Sequence, residues 1–335
     1  MKALVTGATG FVGKALCAGL SASGYGVVPA VRCNSGLPHE MVVGNLDAST
    51  DWRSALSGCD AVVHLAARVH VMDDTSQNPL ALYRETNTEA TLNLARRAAQ
   101  AGVKRFIFIS TIKVNGEGRD EPYRETDAPA PKDAYAISKW EAEQGLQRIA
   151  RETGLEVVIL RPPLVYGPGV KANFLRLMRT VEKGWPLPLG AIRNRRSLLY
   201  LGNFVDAIRL CVEHPAAAGQ TFLVDDGQPV STPDLIRAVA HAMGRPARLL
   251  SAGGAGGRAG TGGRPAGQTR GRGAADGLAV RGRFGHSIAP GLDAALYDAA
   301  GSGCDGCGLA ALPEGWSVTG LFKEALHNPS SRGTK

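Results

Sequence analysis

Residues 2–13 read KALVTGATGFVG, and this stretch decides the fold. Residues 2–6 are a short apolar run typical of a buried strand, and an apolar helix pattern starts just after the last glycine. In the turn between them, small residues let the backbone approach a pyrophosphate, and the helix N-terminus supplies oriented N–H groups. We therefore predict dinucleotide binding, with a ligand-free glycine turn as the alternative, at the following residues: Gly7, Thr9, Gly10, Phe11, Val12 and Gly13.

Strand and helix patterns alternate through the first 150 residues. Further strand patterns occupy residues 25–31, 41–44, 61–67, 104–110 and 155–160, and a helix pattern occupies residues 79–101. Such alternation predicts an α/β chain with a Rossmann-type, doubly wound parallel sheet. We expect this domain at 1–170, a smaller substrate lobe at 171–250 that can return segments to the sheet, and an irregular tail at 251–335.

The second predicted strand ends at Val31 and Arg32. A fold that prefers NAD usually places a carboxylate here, on the adenosine ribose. Because Arg32 stands there and can pair with a 2′-phosphate, we expect NADP as the cofactor, with NAD as the alternative. Asn45 and Leu46 follow the third strand, where the adenine would lie.

The fourth strand pattern ends in small residues. Leu65, Ala66 and Ala67 would let the backbone pass close to the cofactor. His64 lies inside the apolar run, and we interpret it as a structural, hydrogen-bonded histidine rather than a catalytic one.

A helix pattern around residues 132–143 contains Tyr135 and Lys139. Residues four apart share one helix face, so the two side chains can point the same way. An ammonium near a phenol lowers its pKa, and a phenol tuned in this way can exchange a proton with a carbonyl or carbinol oxygen. The alternative is a pair of ordinary surface neighbours. Ser110 and Thr111 end the fifth strand, where ligands bind in open α/β sheets.

Composition limits the other classes of function. The chain has 335 residues, 44% of them hydrophobic, and a net charge of +8 spread along its length. We interpret the charge as solvated surface and expect no nucleic-acid partner. No apolar run reaches the roughly 18 residues of a membrane span. Six scattered cysteines and a start without a signal-peptide pattern predict a cytoplasmic protein.

Together these motifs resemble the extended short-chain dehydrogenase/reductase family, in its nucleotide-sugar epimerase/dehydratase branch. The matching segments lie in the family's order and span residues 1 to about 248: Gly7–Gly13, His64–Ala67, Ser110–Thr111, Tyr135–Lys139 and Arg161–Gly169. Within that branch the chain resembles bacterial UDP-glucose 4-epimerase-like enzymes. Several of these serve O-antigen and surface-polysaccharide sugar synthesis, and some resemble C4-reductases of UDP-4-keto sugars.

The resemblance implies roles for individual residues. Thr111 would hydrogen-bond the reacting sugar oxygen, Tyr135 would be the acid and base, and Lys139 would hold the nicotinamide ribose and lower the Tyr135 pKa. Pro162 would lie at the cofactor and Asn87 near the wall of the site. The UDP-sugar would be contacted by Asn173, Arg196 and Tyr200. No metal is implied, and the resemblance admits a homodimer without fixing the oligomeric state.

Three reactions and one non-enzymatic function compete. A dehydratase of this family needs an acidic pair directly after the threonine, and Ile112 and Lys113 stand there instead. Of the other two reactions, Arg32 favours a reductase that uses NADPH once over an epimerase that keeps NAD bound. The fourth possibility is an NADP-binding regulator without catalysis, which commonly lacks the tyrosine or the lysine.

The tail departs from the family pattern after about residue 250. Its last 85 residues hold 21 of the 43 glycines. A natural Gly/Arg-rich tail is one interpretation. We favour a shifted reading frame, because residues 290–302, back-translated and read one base later, can give LGWTPPYTMRQGL, which resembles a Leu-Gly-Trp-x-Pro segment near the family's end. Cys304 and Cys307 then form a fortuitous CxxC.

Overall fold

The structure, a computed structural model, describes residues 1–69, 78–119 and 121–251. Within these ranges strands and helices alternate as the sequence predicts. The strands are β1 Lys2–Thr6, β2 Gly26–Val31, β3 Met41–Val42, β4 Ala61–His64, β5 Arg105–Ile109, β6 Glu156–Arg161, β7 Leu164–Tyr166, β8 Leu198–Tyr200 and β9 Thr221–Leu223. The α-helices are α1 Phe11–Ala22, α2 Arg53–Leu56, α3 Pro79–Tyr83, α4 Ala90–Gln100, α5 Ala134–Thr153, α6 Ala172–Glu182, α7 Leu201–Glu213 and α8 Thr232–Ala242.

Seven of these strands form one sheet in the order β3-β2-β1-β4-β5-β6-β9, and every neighbouring pair is parallel. The order reverses between β1 and β4, and such a reversal opens a crevice at the carboxyl ends of the strands. The prediction of a doubly wound α/β fold is therefore confirmed.

The sheet is buried on both faces, as the apolar strand patterns require. Leu4 faces a core shared with α2, α4 and α5, whereas its neighbours Ala3 and Val5 face a second core shared with α1 and α7. This alternation is the period of two that a strand imposes. The two cores hold the sheet from both faces. The predicted site lies at the carboxyl ends of its strands.

The segment after residue 171 packs partly in a core of its own and partly against the main sheet. Helices α6 and α8 form a third core, in which Phe174 and Met178 pack with Ile236 and Val239. By contrast, α7 packs on α1 in the second core, and β9 joins β6 in the sheet. The chain therefore leaves the sheet after β6 and returns to it before α8.

Two local features were not predicted. No strand was predicted in the segment after β6, but β7 pairs in parallel with β8 as a separate two-stranded sheet. The predicted helix at 79–101 also contains a π-helical turn, Arg84–Glu89, between α3 and α4.

The interpretations of residues 252–335, including the shifted frame and the CxxC, lie outside the described residues. None of the helices in the described ranges is long and apolar enough to cross a membrane.

Candidate active site

The glycine turn between β1 and α1 is folded so tightly that side chains are excluded. Gly7 has a φ of +69°, and a Cβ there would lie 2.9 Å from the backbone nitrogen of Ala66. A Cβ at Gly13 would lie 2.1 Å from the carbonyl oxygen of Gly7. The turn thus presents bare backbone at the carboxyl edge of the sheet.

The start of α1 is open to an anion. Gly10 is its N-cap and supplies no side-chain hydrogen bond, and no acidic residue occupies the first turn. Thr9 is exposed beside it, while Phe11 packs on the third core and Val12 on the second. An uncapped helix N-terminus next to bare backbone fits the pyrophosphate of a dinucleotide.

His64, at the end of β4, holds the neighbouring strand ends together. Its Nδ1 lies 2.7 Å from the hydroxyl of Thr6, and its Nε2 lies 2.9 Å from the hydroxyl of Thr91. The Thr91 hydroxyl donates to the carbonyl of Asn87 at 2.7 Å, so Nε2 is the donor and Nδ1 the acceptor. The Thr6 oxygen in turn accepts the N–H of Ala66 at 3.2 Å.

Burial, together with the positive charge of Lys139, lowers the pKa of His64 to about 3. The imidazole is 1% exposed and neutral at physiological pH. Both ring nitrogens are hydrogen-bonded, as the sequence interpretation expected.

Asn87 lies in the π-helical turn and fixes the loop that follows β4. Its Oδ1 accepts the N–H of Arg68 at 2.7 Å, and its Nδ2 donates to the Arg68 carbonyl and to the Ser138 hydroxyl, both at 3.0 Å. Thr88, the next residue, also reaches α5, because its hydroxyl donates to the Ser138 carbonyl at 2.9 Å. Two consecutive side chains of the π-turn therefore both contact α5. Asn87 is fully buried and supports this loop through these hydrogen bonds.

Tyr135 and Lys139 occupy the first two turns of α5, which Asp133 caps by accepting the N–H of Ala136 at 2.7 Å. Lys139 is 1% exposed, and its Nζ donates to the carbonyl of Ile109 at 2.9 Å. The ammonium also lies 4.5 Å from the ring centre of Phe108. Lys139 is thereby anchored to the end of β5, and burial lowers its pKa to about 7 although Glu143 opposes the change.

The expected lowering of the Tyr135 pKa is not what the structure shows. Burial raises the pKa of Tyr135 well above its ordinary value, and the charge of Asp133 and the nearby Tyr83 add to the rise. The physical reason is that a buried phenolate loses its hydration, so the neutral phenol is favoured. Without a ligand, therefore, Tyr135 is protonated and suited to donate a proton.

Thr111 lies two residues after the end of β5 and is 9% exposed. Its hydroxyl caps a short 3-10 turn by accepting the N–H of Lys113 at 3.3 Å. Lys113 then pairs with Asp133 at 2.7 Å, two residues before Tyr135. The position where a dehydratase would carry an acid thus links the end of β5 to the start of α5.

The other predicted cofactor contacts lie at the same carboxyl edge. Arg32 is exposed directly after β2, and Asn45 and Leu46 follow β3. Leu65, Ala66 and Ala67 follow β4 and are half-buried, whereas Pro162 follows β6 and is buried. The Pro162 carbonyl accepts the N–H of Ile112 at 3.1 Å, which joins the ends of β5 and β6.

The predicted substrate residues beyond β6 lie on separate elements. Tyr200 ends β8, and its ring centre lies 5.8 Å from that of Tyr166 in β7, which stacks at 5.7 Å on Phe174. Asn173 is exposed in the first turn of α6, and Arg196 is exposed and pairs with Val230 through backbone hydrogen bonds. Asn173 and Arg196 thus belong to the α6–α8 side of the molecule, whereas Tyr135 and Lys139 belong to the sheet.

The model of the NAD dependent epimerase/dehydratase family matches residues 3–224, which include Thr111, Tyr135 and Lys139. The chain belongs to this family. The match ends just after β9, so it covers the seven-stranded sheet apart from Lys2.

Among known proteins, the chain is 53% identical over 251 residues to a UDP-glucose 4-epimerase of Vibrio cholerae. The aligned region covers 72% of this chain and 76% of the relative. A solved structure of MoeE5 with UDP-glucose and NAD is 30% identical and superposes with a TM-score of 0.65 over 75% of this chain and 85% of that chain. The UDP-glucuronic acid 4-epimerase of Bacillus cereus, solved with UDP-glucuronic acid and NAD, is 25% identical with a TM-score of 0.65 over 75% and 86%. The chain is thus an enzyme of a family whose solved relatives hold NAD and UDP-sugars.

Proposed function

We propose that this protein interconverts the C4 epimers of a UDP-hexose with NAD as its cofactor. The observation that carries the proposal is the 53% identity to a UDP-glucose 4-epimerase. The sequence interpretation preferred the reduction of a 4-keto sugar and kept epimerisation as the alternative. The identity reverses that order of preference.

Different strand ends would contact the cofactor and the sugar. The glycine turn and the uncapped α1 would hold the pyrophosphate, and the loop after β4 would pass beneath the nicotinamide half. Thr111 would hydrogen-bond the sugar O4, and Tyr135 would give a proton to that oxygen or take it away. When bound, NAD supplies the site that takes up and returns the hydride of sugar C4.

Lys139 would keep a positive charge beside the cofactor ribose and Tyr135. A positive charge favours the phenolate, so Lys139 opposes the effect of burial in the half of the reaction that needs a base. Residues 1–170 would form the cofactor domain. The UDP half of the substrate would lie towards Asn173, Arg196 and Tyr200 in the lobe at 171–250.

A second candidate, the NADPH-dependent reduction of a UDP-4-keto sugar, is favoured by one observation. Arg32 is exposed at the end of β2, where a guanidinium can pair with a 2′-phosphate. The two candidates differ in the cofactor as well as in the product.

One experiment separates them. The purified protein is incubated with UDP-glucose and a trace of NAD, and the anomeric protons are followed by NMR. The proposal predicts a mixture of UDP-glucose and its C4 epimer without net consumption of cofactor. Absence of the epimer, together with oxidation of NADPH by a UDP-4-keto-6-deoxy sugar, would establish the reductase instead. Binding of cofactor without either reaction would establish a regulator.

A further inference from the structure

A buried ion pair lies directly behind the candidate active site. Glu143 is on α5, one turn after Lys139, and is fully buried, while Arg161 ends β6 and is 4% exposed. The guanidinium of Arg161 donates to both carboxylate oxygens of Glu143, through Nε at 3.0 Å and through Nη2. Paired hydrogen bonds of this kind fix the relative orientation of both side chains.

Two further side chains complete the cluster. The hydroxyl of Ser110 donates to Oε1 of Glu143. The Nη1 group of Arg161 donates to Oδ1 of Asn115 at 3.0 Å, and the Asn115 amide donates to the carbonyl of Arg124 at 2.9 Å. The cluster thus joins the ends of β5 and β6 to α5.

Three residues of this cluster, Ser110, Glu143 and Arg161, are close in sequence to a residue of the candidate site. Thr111 follows Ser110, Pro162 follows Arg161, and Lys139 precedes Glu143 by one helical turn. A small displacement of any of these elements would therefore move a reacting group. Since a misplacement of about 1 Å can cost roughly a hundredfold in rate, the spacing of these elements matters.

Stability alone does not explain this arrangement. Replacing a buried ion pair by apolar residues of similar volume is often neutral or stabilising, because both charges lose their hydration. The position of the pair, between the elements that carry the proton-transfer groups, suggests a second role.

We propose that Glu143 and Arg161 are positioning residues, which hold Thr111 and Lys139 in register and supply the counter-charge for the Lys139 ammonium. This inference rests on the proposed function for its catalytic part. Its electrostatic part concerns the protein alone.

Among the described residues, Lys139 interacts electrostatically with Glu143 on its own helix and with the neutral His64 of β4. Tyr135 lies one turn before it on α5, and Arg161 of β6 is held by Glu143. Of these, Glu143 supplies the negative charge that favours the protonated form of Lys139. Losing this charge should lower the Lys139 pKa further.

The first test compares Glu143→Gln with Glu156→Gln. Glu156 pairs with Arg105 at the opposite ends of β5 and β6, so it is a matched control. The Lys139 pKa is measured by NMR of protein labelled with ¹³C at the lysine ε-carbon, and the signal is assigned from its absence in Lys139→Met. We expect a fall of about one unit or more in Glu143→Gln and no change in Glu156→Gln.

The second test uses the double variant Glu143→Met/Arg161→Met, which removes both charges together and so leaves neither unpaired. We expect it to unfold near the wild-type temperature but to lose roughly ten- to a hundredfold in kcat for epimerisation. Wild-type kcat in the double variant, or an unchanged Lys139 pKa in Glu143→Gln, would overturn the inference.

These outcomes are distinct from failure of the proposed function. If the wild-type protein does not epimerise UDP-sugars, the proposed function fails, yet the Lys139 titration still decides the electrostatic part. If epimerisation occurs and the Glu143 variants behave like the Glu156 control, only the positioning role fails.

Discussion

Strands β5 and β6 carry an arginine–glutamate pair at each end, and the two pairs differ in what surrounds them. At the amino end, Arg105 of β5 pairs with Glu156 of β6, whose side chain is 29% exposed. At the carboxyl end, Arg161 of β6 pairs with Glu143 of α5, and the glutamate is fully buried. The same charges thus occur in two environments on one pair of strands.

The amino-end pair fastens a helix. Arg105 also donates to the carbonyls of Cys211 and His214, at 2.7 Å and 3.0 Å, where α7 ends. A cation at a helix C-terminus is favourable because the last carbonyls are otherwise unpaired. The carboxyl-end pair instead lies behind the predicted site. The amino-end pair therefore secures the packing of α7, whereas the carboxyl-end pair places buried charge beside the predicted site residues.

The largest expected effect is on catalysis at the carboxyl end. Tyr135→Phe removes the group that we propose exchanges a proton with O4, so kcat should fall by about 10²–10⁴ with little loss of cofactor affinity. The measurement is the rate of UDP-sugar epimerisation. Tyr25→Phe, which loses a hydrogen bond to Glu213 next to β2, is the control and should keep wild-type kcat. Near-wild-type turnover by Tyr135→Phe would remove Tyr135 from the mechanism.

The second effect concerns the stability cost of burying Lys139. Its pKa is about 7 in the folded protein against 10.5 ordinarily. Between these values the unfolded chain binds a proton at this site and the folded protein does not. The free energy of unfolding of the wild type should therefore rise between about pH 7 and pH 10.5, by up to about 1.4 kcal/mol per pH unit. Below pH 7 the full cost of burying the charged lysine remains.

Lys139→Met lacks this titration. It should be more stable than wild type near neutral pH and lose that advantage towards pH 10, while its kcat falls. Urea unfolding at several pH values checks the slope. Parallel curves for the two proteins would show that Lys139 is not buried as described.

A third effect should appear at the amino end and in stability alone. Arg105→Met leaves the carbonyls at the end of α7 without their donor and Glu156 without its partner. We expect a loss of about 2 kcal/mol in the free energy of unfolding. Because nothing of the candidate site is touched, kcat should be unchanged at a temperature where the variant is folded. A drop in kcat as large as that expected for Glu143→Met/Arg161→Met would erase the contrast between the two ends.

The smallest effect concerns His64 at the end of β4. The pKa of His64 is lowered to about 3, so below about pH 6.5 the unfolded chain binds a proton that the folded protein excludes. Wild type should lose stability as the pH falls, by up to about 1.4 kcal/mol per unit. His64→Asn, which keeps an acceptor and a donor without the charge, should show a shallower loss between pH 6.5 and 5. Equal slopes would assign the acid sensitivity to other groups.

Local patterns were enough to predict the sheet. The glycine turn at residues 7–13 and the apolar strand runs specify their own conformations, and the carboxyl ends of parallel strands meet at one edge. For that reason Thr111 and Lys139 could be predicted to lie at the same edge. The direction of the Tyr135 pKa could not, because it depends on how completely the fold buries the phenol.

The supporting network escaped prediction for a related reason. Glu143 and Arg161 are 18 residues apart, and only the packing of α5 on the sheet brings them together. A signal was present, since Glu143 stands four residues after Lys139 on one helix face and Arg161 ends an apolar strand. The π-turn at Arg84–Glu89 has no comparable local signature, so the supporting role of Asn87 required the structure.

The most direct test of the central claim uses UDP-glucose deuterated at C4. If Tyr135 exchanges the proton at O4 while the C4 hydrogen passes to the cofactor and back within one binding event, the C4 epimer should form with its deuterium retained. NMR and mass spectrometry of the product measure this, and Tyr135→Phe should suppress its formation. Formation of an epimer that has lost deuterium to solvent, or no epimer with NAD present, would contradict the account.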